Sequence, residues 1–532
     1  MKIRKLLEVA ILAGVLATAC VDLEVVNPNA PDQSRALVTA TDIEALIGGS
    51  FASFWNCQSF SSGPGPVLMT ASNQHSGTAA NFGMVEFSSW PRVPVHNRAA
   101  DVYYGQFALC WIHLHRGISS VTDGFKALGN VTLPAEDLAR ARAFGYFTLG
   151  LNHGHAALVY DQSYIYDDTM SPEDVVLSPY TEVMAAAHGY LDKAIQEATG
   201  KTFQIPATWT SVPLSAAELV KLAYSYKARF RAAVARTPAE RAAVNWAQVL
   251  SDAEKGITET FGINVASGSG FTSGSMVNMP RFGAWGQLTY QYLGMADTSG
   301  QYQKWLAKSP WDRHPNLSAD QTSDPFLIIT ADTRFPRGTT LAAQTLAANQ
   351  GTLYQIHRGS GGHSVGWVRP DRGTFRWSYY RYHANDQWLA VGTRDKHAEF
   401  KVQDLDLLKA EALFRTGQQG AAATLVNKTR TAAGLNATDA AGTNTSCVPK
   451  LPNGQCGNLL EMLKWEIRME TQYHGLNMAP WFFHGRGWGD LVEGTFLHLP
   501  APGRELDLLG APFYTFGGAG GEASAPKGTY GF

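Results

Sequence analysis

Apolar side chains recur every three to four residues along most of the first half of the chain. Over residues 40–55, Ile43, Leu46, Ile47, Phe51 and Phe54 fall on one face, and Thr41 or Asp42 can cap the start, so the spacing predicts a helix. The same period predicts helices over 104–121, 133–158, 179–198, 215–236 and 245–260. In the second of these Pro134 stands near the first helical position, and Ala141, Phe144, Phe147 and Leu151 are spaced for packing. Ala-rich helices of similar length, joined by short polar turns, imply stacked antiparallel pairs of the tetratricopeptide kind, although no strict 34-residue repeat is visible.

The pattern changes at about residue 264. From there to 385 the chain is rich in Gly, Pro, Ser and aromatic residues and has little helical period; 375–383 reads as one short strand. A loop region this long inside a folded chain is functional or disordered, and its aromatic content argues against disorder. Helical spacing returns over 404–416, which Gly417 stops, over 418–433, which Gly434 stops, and over 459–473. The Gly/Ala-rich tail from 517 is expected to be loose.

The first residues read as a targeting signal. Lys2, Arg4 and Lys5 precede a short uncharged apolar run from Val9 to Ala19, too short to cross a bilayer. Ala17 and Ala19 lead into Cys20, an order that resembles the bacterial lipobox, with Leu16 one place further out than the commonest lipobox leucine. Acylation at Cys20 would tether the body to a membrane through buried methylenes. Residues 20–40, rich in Pro and Asn, then form an extended tether. The four remaining cysteines are an even number, which suits export into an oxidising compartment. Cys447 and Cys456 bracket a turn-rich stretch containing Pro and Asn-Gly that can bring their ends together, and Cys57 with Cys110 then follows by elimination; four free buried thiols are the alternative. The net charge of −2 gives no reason to expect a polyanion partner, and nucleic acid is not indicated.

Four stretches carry a resemblance to one family. The first is Asn27-Pro28-Asn29, then Thr41-Asp42-Ile43-Glu44-Ala45-Leu46 and Gly49-Ser50-Phe51. The second runs from Ala141-Arg142-Ala143-Phe144 to Leu158-Val159-Tyr160-Asp161. The third and most specific is 407–417, containing Lys409, Glu411 and Gly417, with Val426-Asn427-Lys428-Thr429-Arg430 and Gly434-Leu435. The fourth is Glu466-Ile467-Arg468-Met469-Glu470, then Gly489-Asp490-Leu491, Gly494-Thr495, Pro500-Ala501-Pro502 and Glu505-Leu506. In this order and at these distances the chain resembles the SusD/RagB-like outer-membrane nutrient-uptake lipoproteins over nearly its whole mature length. It departs from them at Glu466-Ile467, where the family usually has Glu-Arg, and at 482–486, which replaces a more basic segment; both concern the helix scaffold.

The resemblance implies a mainly α fold: tetratricopeptide-like helix pairs in an α-α superhelix, packed against an irregular, loop-rich ligand-binding region with a few short strands. It divides the chain into a signal peptide (1–19), a lipidated tether (20–40), an N-terminal helical region (41–263), an irregular ligand-binding region (264–400), a C-terminal helical region (401–516) and a flexible tail (517–532). It implies a lipid anchor on the extracellular face of the outer membrane, a TonB-dependent transporter barrel as partner, and binding without catalysis or cofactor. A helical-repeat adaptor that binds only protein and a surface glycoside hydrolase are the competing readings.

Sugar recognition needs flat apolar faces for C–H patches and a few polar groups for hydroxyls. Trp90 in a loop, Trp285, Tyr290 and Tyr292 close together, Trp305 and Trp311 in a polar stretch, and Trp367, Trp377 and Tyr379 are the candidate ligand-binding rings, with exposure at the site expected for at least two. Enzyme signals are weak. Gly362-His363-Ser364-Val365-Gly366 has the nucleophile-elbow spacing, but Pro370 and Gly373 oppose the helix that must follow it. The pairs His113/His115 and His153/His155 are two apart and point to different helix faces, so neither makes a shared metal site. Glu466 and Glu470 share one helix face and are expected in salt bridges, and no nucleotide-binding glycine loop is present.

Overall fold

The computed structural model describes residues 37–59, 63–77, 83–266, 268–271, 286–308, 326–356, 378–384, 386 and 396–532. The expected nucleophile-elbow spacing at 362–366 and the Cys20 lipidation site lie outside them. The architecture is mainly helical. Helix α1 (Ala40–Ser59) packs antiparallel on α2 (Tyr104–Leu128), and α3 (Ala135–Val159) on α4 (Tyr180–Ala198). Next come α5 (Ala216–Ala233) with α6 (Trp246–Glu254), the short α7 (Gln301–Leu306), and the hairpin of α8 (Val402–Arg415) and α9 (Gln419–Ala432). Successive members touch in the order α2, α3, α4, α5, α6, α8, α9, which is a superhelical stack of helix pairs. Helix α10 (Leu459–Glu470) lies across α8 and α9, and α11 (Pro480–Trp488) closes the core against α5.

Helix positions follow the sequence period, and the ends follow local chemistry. Ser215 caps α5 through a reciprocal capping box with Glu218, and Asn245 caps α6. Pro134 sits at the N-cap of α3, one place before the first helical position. Helix α2 runs seven residues past the predicted end, to Leu128. Helix α6 stops at Glu254, well short of 260, because the chain turns at Gly256 and Ile257 donates its N–H to Ser225 Oγ at 2.8 Å. The core face of α3 is as expected: Ala141, Phe144, Phe147 and Leu151 are all fully buried. Its small residues let α4 come close, with Gly150 against Leu191 and the Ala187 carbonyl.

Strands among the described residues form six two-stranded antiparallel ribbons. Tyr380–Tyr382, inside the predicted 375–383 strand, pairs with Tyr354–Ile356. Thr515–Gly517 pairs with Pro94–His96. The tail is therefore not loose. Phe532 is buried, its carbonyl accepts the Glu493 N–H at 3.2 Å, and Phe496 bridges Ser524. The reason is that Gly and Ala there are small enough to lie flat on the 489–497 segment, where backbone hydrogen bonds replace side-chain packing. Both disulfides are present, Cys57–Cys110 joining α1 to α2 with Cα atoms 4.3 Å apart and Cys447–Cys456 closing its turn with Cα atoms 4.7 Å apart. No described helix is long and apolar enough to cross a membrane.

Candidate functional site: an aromatic-floored cavity beside α7

Of the candidate rings, Trp285, Trp311, Trp367 and Trp377 lie outside the described residues. Trp90 is half-buried against the core. The exposure expected of at least two of the nine is met by none of the other four. Tyr290, Tyr292, Trp305 and Tyr379 are all buried, with at most 6% exposure. Their polar ends explain this. The Tyr290 hydroxyl donates to the Phe326 carbonyl at 2.6 Å, and the Tyr292 hydroxyl donates to the Arg468 carbonyl at 2.6 Å. A tyrosine whose hydroxyl has a protein acceptor can bury its ring without leaving a polar group unmet. Burial pushes the Tyr290 hydroxyl far above its ordinary value, so it remains a neutral donor.

These rings nonetheless build a surface. Phe326 stacks on Tyr290 at 3.9 Å with 20° between planes, and Trp305 meets Tyr290 at 5.3 Å and stacks on Tyr302 at 6.1 Å. Phe326 alone of this group is half-buried, the other three rings being buried. It floors a cavity of about 400 Å³, with Trp305 and Leu327 beside it and Gln301, Lys304 and Thr339 around the rim. Gln301 and Lys304 project from α7, whose N-terminal turn is held by the Asp297 carboxylate accepting the Tyr302 N–H at 3.1 Å. Sequence reasoning named Tyr290 and Trp305 but missed Phe326. Its signal was the apolar run Phe326-Leu327-Ile328-Ile329 directly after Pro325.

A second cavity of about 320 Å³ lies against α8 and α9. Its charges are already matched: Lys428 pairs with Asp406 at 2.8 Å and Arg334 with Glu470 at 3.1 Å. Arg334 also holds Glu466 at 2.9 Å, so the two glutamates of α10 are salt-bridged as expected. Among the described residues, Cys57, Cys110 and His155 lie close enough together to suggest a metal site. Their sulfurs are joined as a disulfide, and His155 Nε2 is engaged by Asn477 Oδ1 at 2.6 Å, so no thiolate is offered.

No family model matches the chain, and no curated protein matches it. Solved structures do. A SusD homolog from Parabacteroides distasonis ATCC 8503 aligns over 88% of this chain and 93% of its own, at 10% identity and a TM-score of 0.54. A SusD-like protein from Bacteroides fragilis NCTC 9343 aligns over 86% and 88%, at 13% identity and 0.51. The chain has the SusD-like fold. B. fragilis NanU aligns over 87% of this chain and 91% of its own, at 12% identity and 0.51.

Within the SusD-like fold the family-like motif residues are structural pins. Glu411 of α8, fully buried, accepts Arg241 Nε at 2.8 Å, Trp488 Nε1 at 2.9 Å and Arg415 at 3.2 Å. Burial alone would raise its carboxyl; the Arg241 guanidinium overrides that and brings it down to about 2. Arg430 of α9 donates to the carbonyls of Asn436 at 2.8 Å and Val448 at 2.6 Å, tying the hairpin to the disulfide loop. Asp161, in the Tyr160-Asp161 pair that ends α3, accepts the Ala501 N–H at 3.0 Å, and burial pushes it up to about 6. Arg236 and Arg486 donate to the Ala157, Leu158 and Tyr160 carbonyls, placing positive charge on the C-terminal end of α3, where the helix dipole favours it. None of these residues lines the cavity beside α7.

Proposed function

We propose that this protein is an outer-membrane lipoprotein, anchored through Cys20 on the extracellular face, that captures an oligosaccharide and delivers it without catalysis to a TonB-dependent transporter. The observation that carries the reading is the cavity beside α7. Half-buried Phe326 supplies an apolar ring to its lining for C–H contacts, and Gln301, Lys304 and Thr339 supply an amide, an ammonium and a hydroxyl for polar ones. The SusD-like fold and the family-like stretches support the same reading. The anchor and the transporter rest on the sequence resemblance. In the competing hydrolase reading a pair of free carboxylates must flank the bound sugar, and among the described residues no carboxylate lines this cavity.

The test is a glycan array with the full chain in detergent, followed by calorimetry on the best binder and pull-down from membranes. Expected results are binding without product release, a large barrel protein in the pull-down, and about tenfold weaker binding by Phe326→Leu, which stays apolar and removes the ring. Release of shorter sugars, or an array with no binder, would overturn the reading.

A further inference from the structure

The α7 wall of the cavity is tied to a loop that lies outside the site. The Lys450 N–H donates to the Met295 carbonyl at 2.7 Å, the Lys450 ammonium to the Thr298 carbonyl at 3.2 Å, and the Gln303 amide to the Leu451 carbonyl at 2.9 Å. Lys450 and Leu451 belong to the loop that Cys447–Cys456 closes, and Gln303 lies within α7. The same stretch is clasped to the cavity floor. The Thr298 N–H donates to the Ile329 carbonyl at 2.9 Å, and the Ile329 N–H to the Asp297 carboxylate at 3.1 Å. The base of the loop is rooted in the scaffold, where Arg430 of α9 donates to the Val448 carbonyl at 2.6 Å and Asn444 donates to the Gly457 carbonyl at 3.0 Å. The disulfide thus closes the neck between the scaffold and the groups that reach α7. Lys450, Leu451 and Gln303 do not line the cavity themselves.

A helix of six residues does not hold its own place, since isolated helices shorter than about 12–15 residues are marginal in water. Where Gln301 and Lys304 stand relative to Phe326 therefore depends on what α7 is tied to, and a site loses affinity when its groups are held loosely. We propose that the Cys447–Cys456 loop is a positioning brace for the ligand: it holds residues 295–303 against the 326–329 floor, and opening its neck weakens capture while the helical body stays folded. This rests on the capture reading above and adds Lys450, Gln303 and the cysteine pair to it. The two disulfides differ in access, which lets the brace be opened alone. Cys456 is exposed, whereas Cys57 and Cys110 are no more than 1% exposed.

The experiment opens the neck in the full chain in detergent in two ways. A water-soluble phosphine gives two electrons to the exposed disulfide and leaves two thiols, with alkylation and mass spectrometry to verify that only Cys447 and Cys456 are labelled. The double variant Cys447→Ser with Cys456→Ser makes the same opening without reductant. Two readouts follow: hydrogen–deuterium exchange over 295–306, and calorimetry with laminarihexaose, maltohexaose and cellohexaose as probes. Exchange over 295–306 should rise on opening while α3 and α4 stay unchanged. The Kd of each probe that binds wild type should rise about three- to tenfold, the size of one lost hydrogen bond, and should return on reoxidation. Gln303→Leu cuts a loop–α7 bond with the disulfide intact, so it should weaken binding too, and reduction should then add less than it does in wild type. Unchanged exchange over 295–306, raised exchange with unchanged affinity, or a reduction effect undiminished in Gln303→Leu overturns the brace and leaves the capture function standing. Failure of wild type to bind any probe, on this set and on the wider array, overturns both.

Discussion

Glu411 and Arg241 stand 170 residues apart in sequence and meet with no solvent exposure at either side chain. The substitution Glu411→Gln keeps the size of the side chain and an oxygen for Trp488 Nε1, but it leaves the Arg241 guanidinium without its counter-charge. The magnitude follows from the acidity of the group. An ordinary glutamate titrates at 4.5 and Glu411 is held at about 2. At about 1.4 kcal/mol for each pH unit, that difference is worth about 3 kcal/mol of folding stability. Breaking a buried ion pair by removing one partner costs about 3–5 kcal/mol in general, which agrees. The sign sets the pH window. A carboxyl held below its unfolded value contributes its full stability above pH 4.5 and loses it as the pH falls toward about 2. Guanidinium titrations of wild type and variant should therefore differ by about 3 kcal/mol at pH 7 and by less than half of that, about 1.4 kcal/mol, at pH 3. A gap under about 1 kcal/mol at pH 7, or one that stays constant down to pH 3, would refute the view that this pin is an ionised pair.

Glu399 should behave in the opposite sense. Burial raises its carboxyl to about 7, in spite of the Arg229 guanidinium at 3.3 Å and the Tyr226 hydroxyl at 3.0 Å. The folded state then holds a proton that the unfolded state has released between pH 4.5 and 7, so wild-type stability falls across that window by about 3 kcal/mol from this group. Glu399→Gln cannot titrate there, and its stability relative to wild type should rise steadily from pH 4.5 to 7; a flat difference across that range in denaturant titrations would show that the group is ionised throughout. Two glycines on the α3/α4 pair separate packing from propensity. Gly154→Ala drives a methyl group into the Phe230 ring and should cost about 1–3 kcal/mol, whereas Gly189→Ala, exposed in the interior of α4 with open space around it, should gain about 0.5–1 kcal/mol. Thermal melts that moved in the same direction for both variants would contradict this.

The helical scaffold was legible because period and chemistry agree in it. Ile43, Ile47, Phe51 and Phe54 are fully buried on α1 as their spacing demands, and the α8/α9 hairpin turns at Thr416-Gly417-Gln418 between two periodic stretches. Both cysteine pairings followed from parity and a turn, and did not need the fold. The ends of α2 and α6 were misjudged by six or seven residues because they depend on tertiary contacts, such as Ser225 Oγ accepting the Ile257 N–H, that no local pattern announces. The docked tail failed for the same reason. Gly and Ala usually mark loose chain, but here backbone groups from Gly489 to Leu497 supply the partners.

The site was harder to read than the scaffold, for a physical reason. A ring in a segment without period can face solvent, a ligand or the core, and its letter is the same in each case. What decided the matter for Tyr290 and Tyr292 was a backbone carbonyl within reach of each hydroxyl, contributed by Phe326 and Arg468, 36 and 176 residues away. Once those hydroxyls are met, the tyrosines sink and act as backing. The surface that can meet a ligand then passes to Phe326, which has no hydroxyl to satisfy and stays half-buried while stacked on Tyr290. The polar rim has the converse history. Gln301 and Lys304 are displayed because α7 buries Tyr302 and Trp305, one and four positions after Gln301, so the same short helix that closes the aromatic cluster turns its amide and ammonium outward. A conservative change at Trp305 should therefore disturb both the backing and the rim, whereas Phe326→Leu should touch binding alone. Calorimetry and thermal melts on the two variants separate these outcomes: a binding loss in Phe326→Leu that tracked an equal loss of stability would make Phe326 one more core ring and return the site to the undecided aromatics.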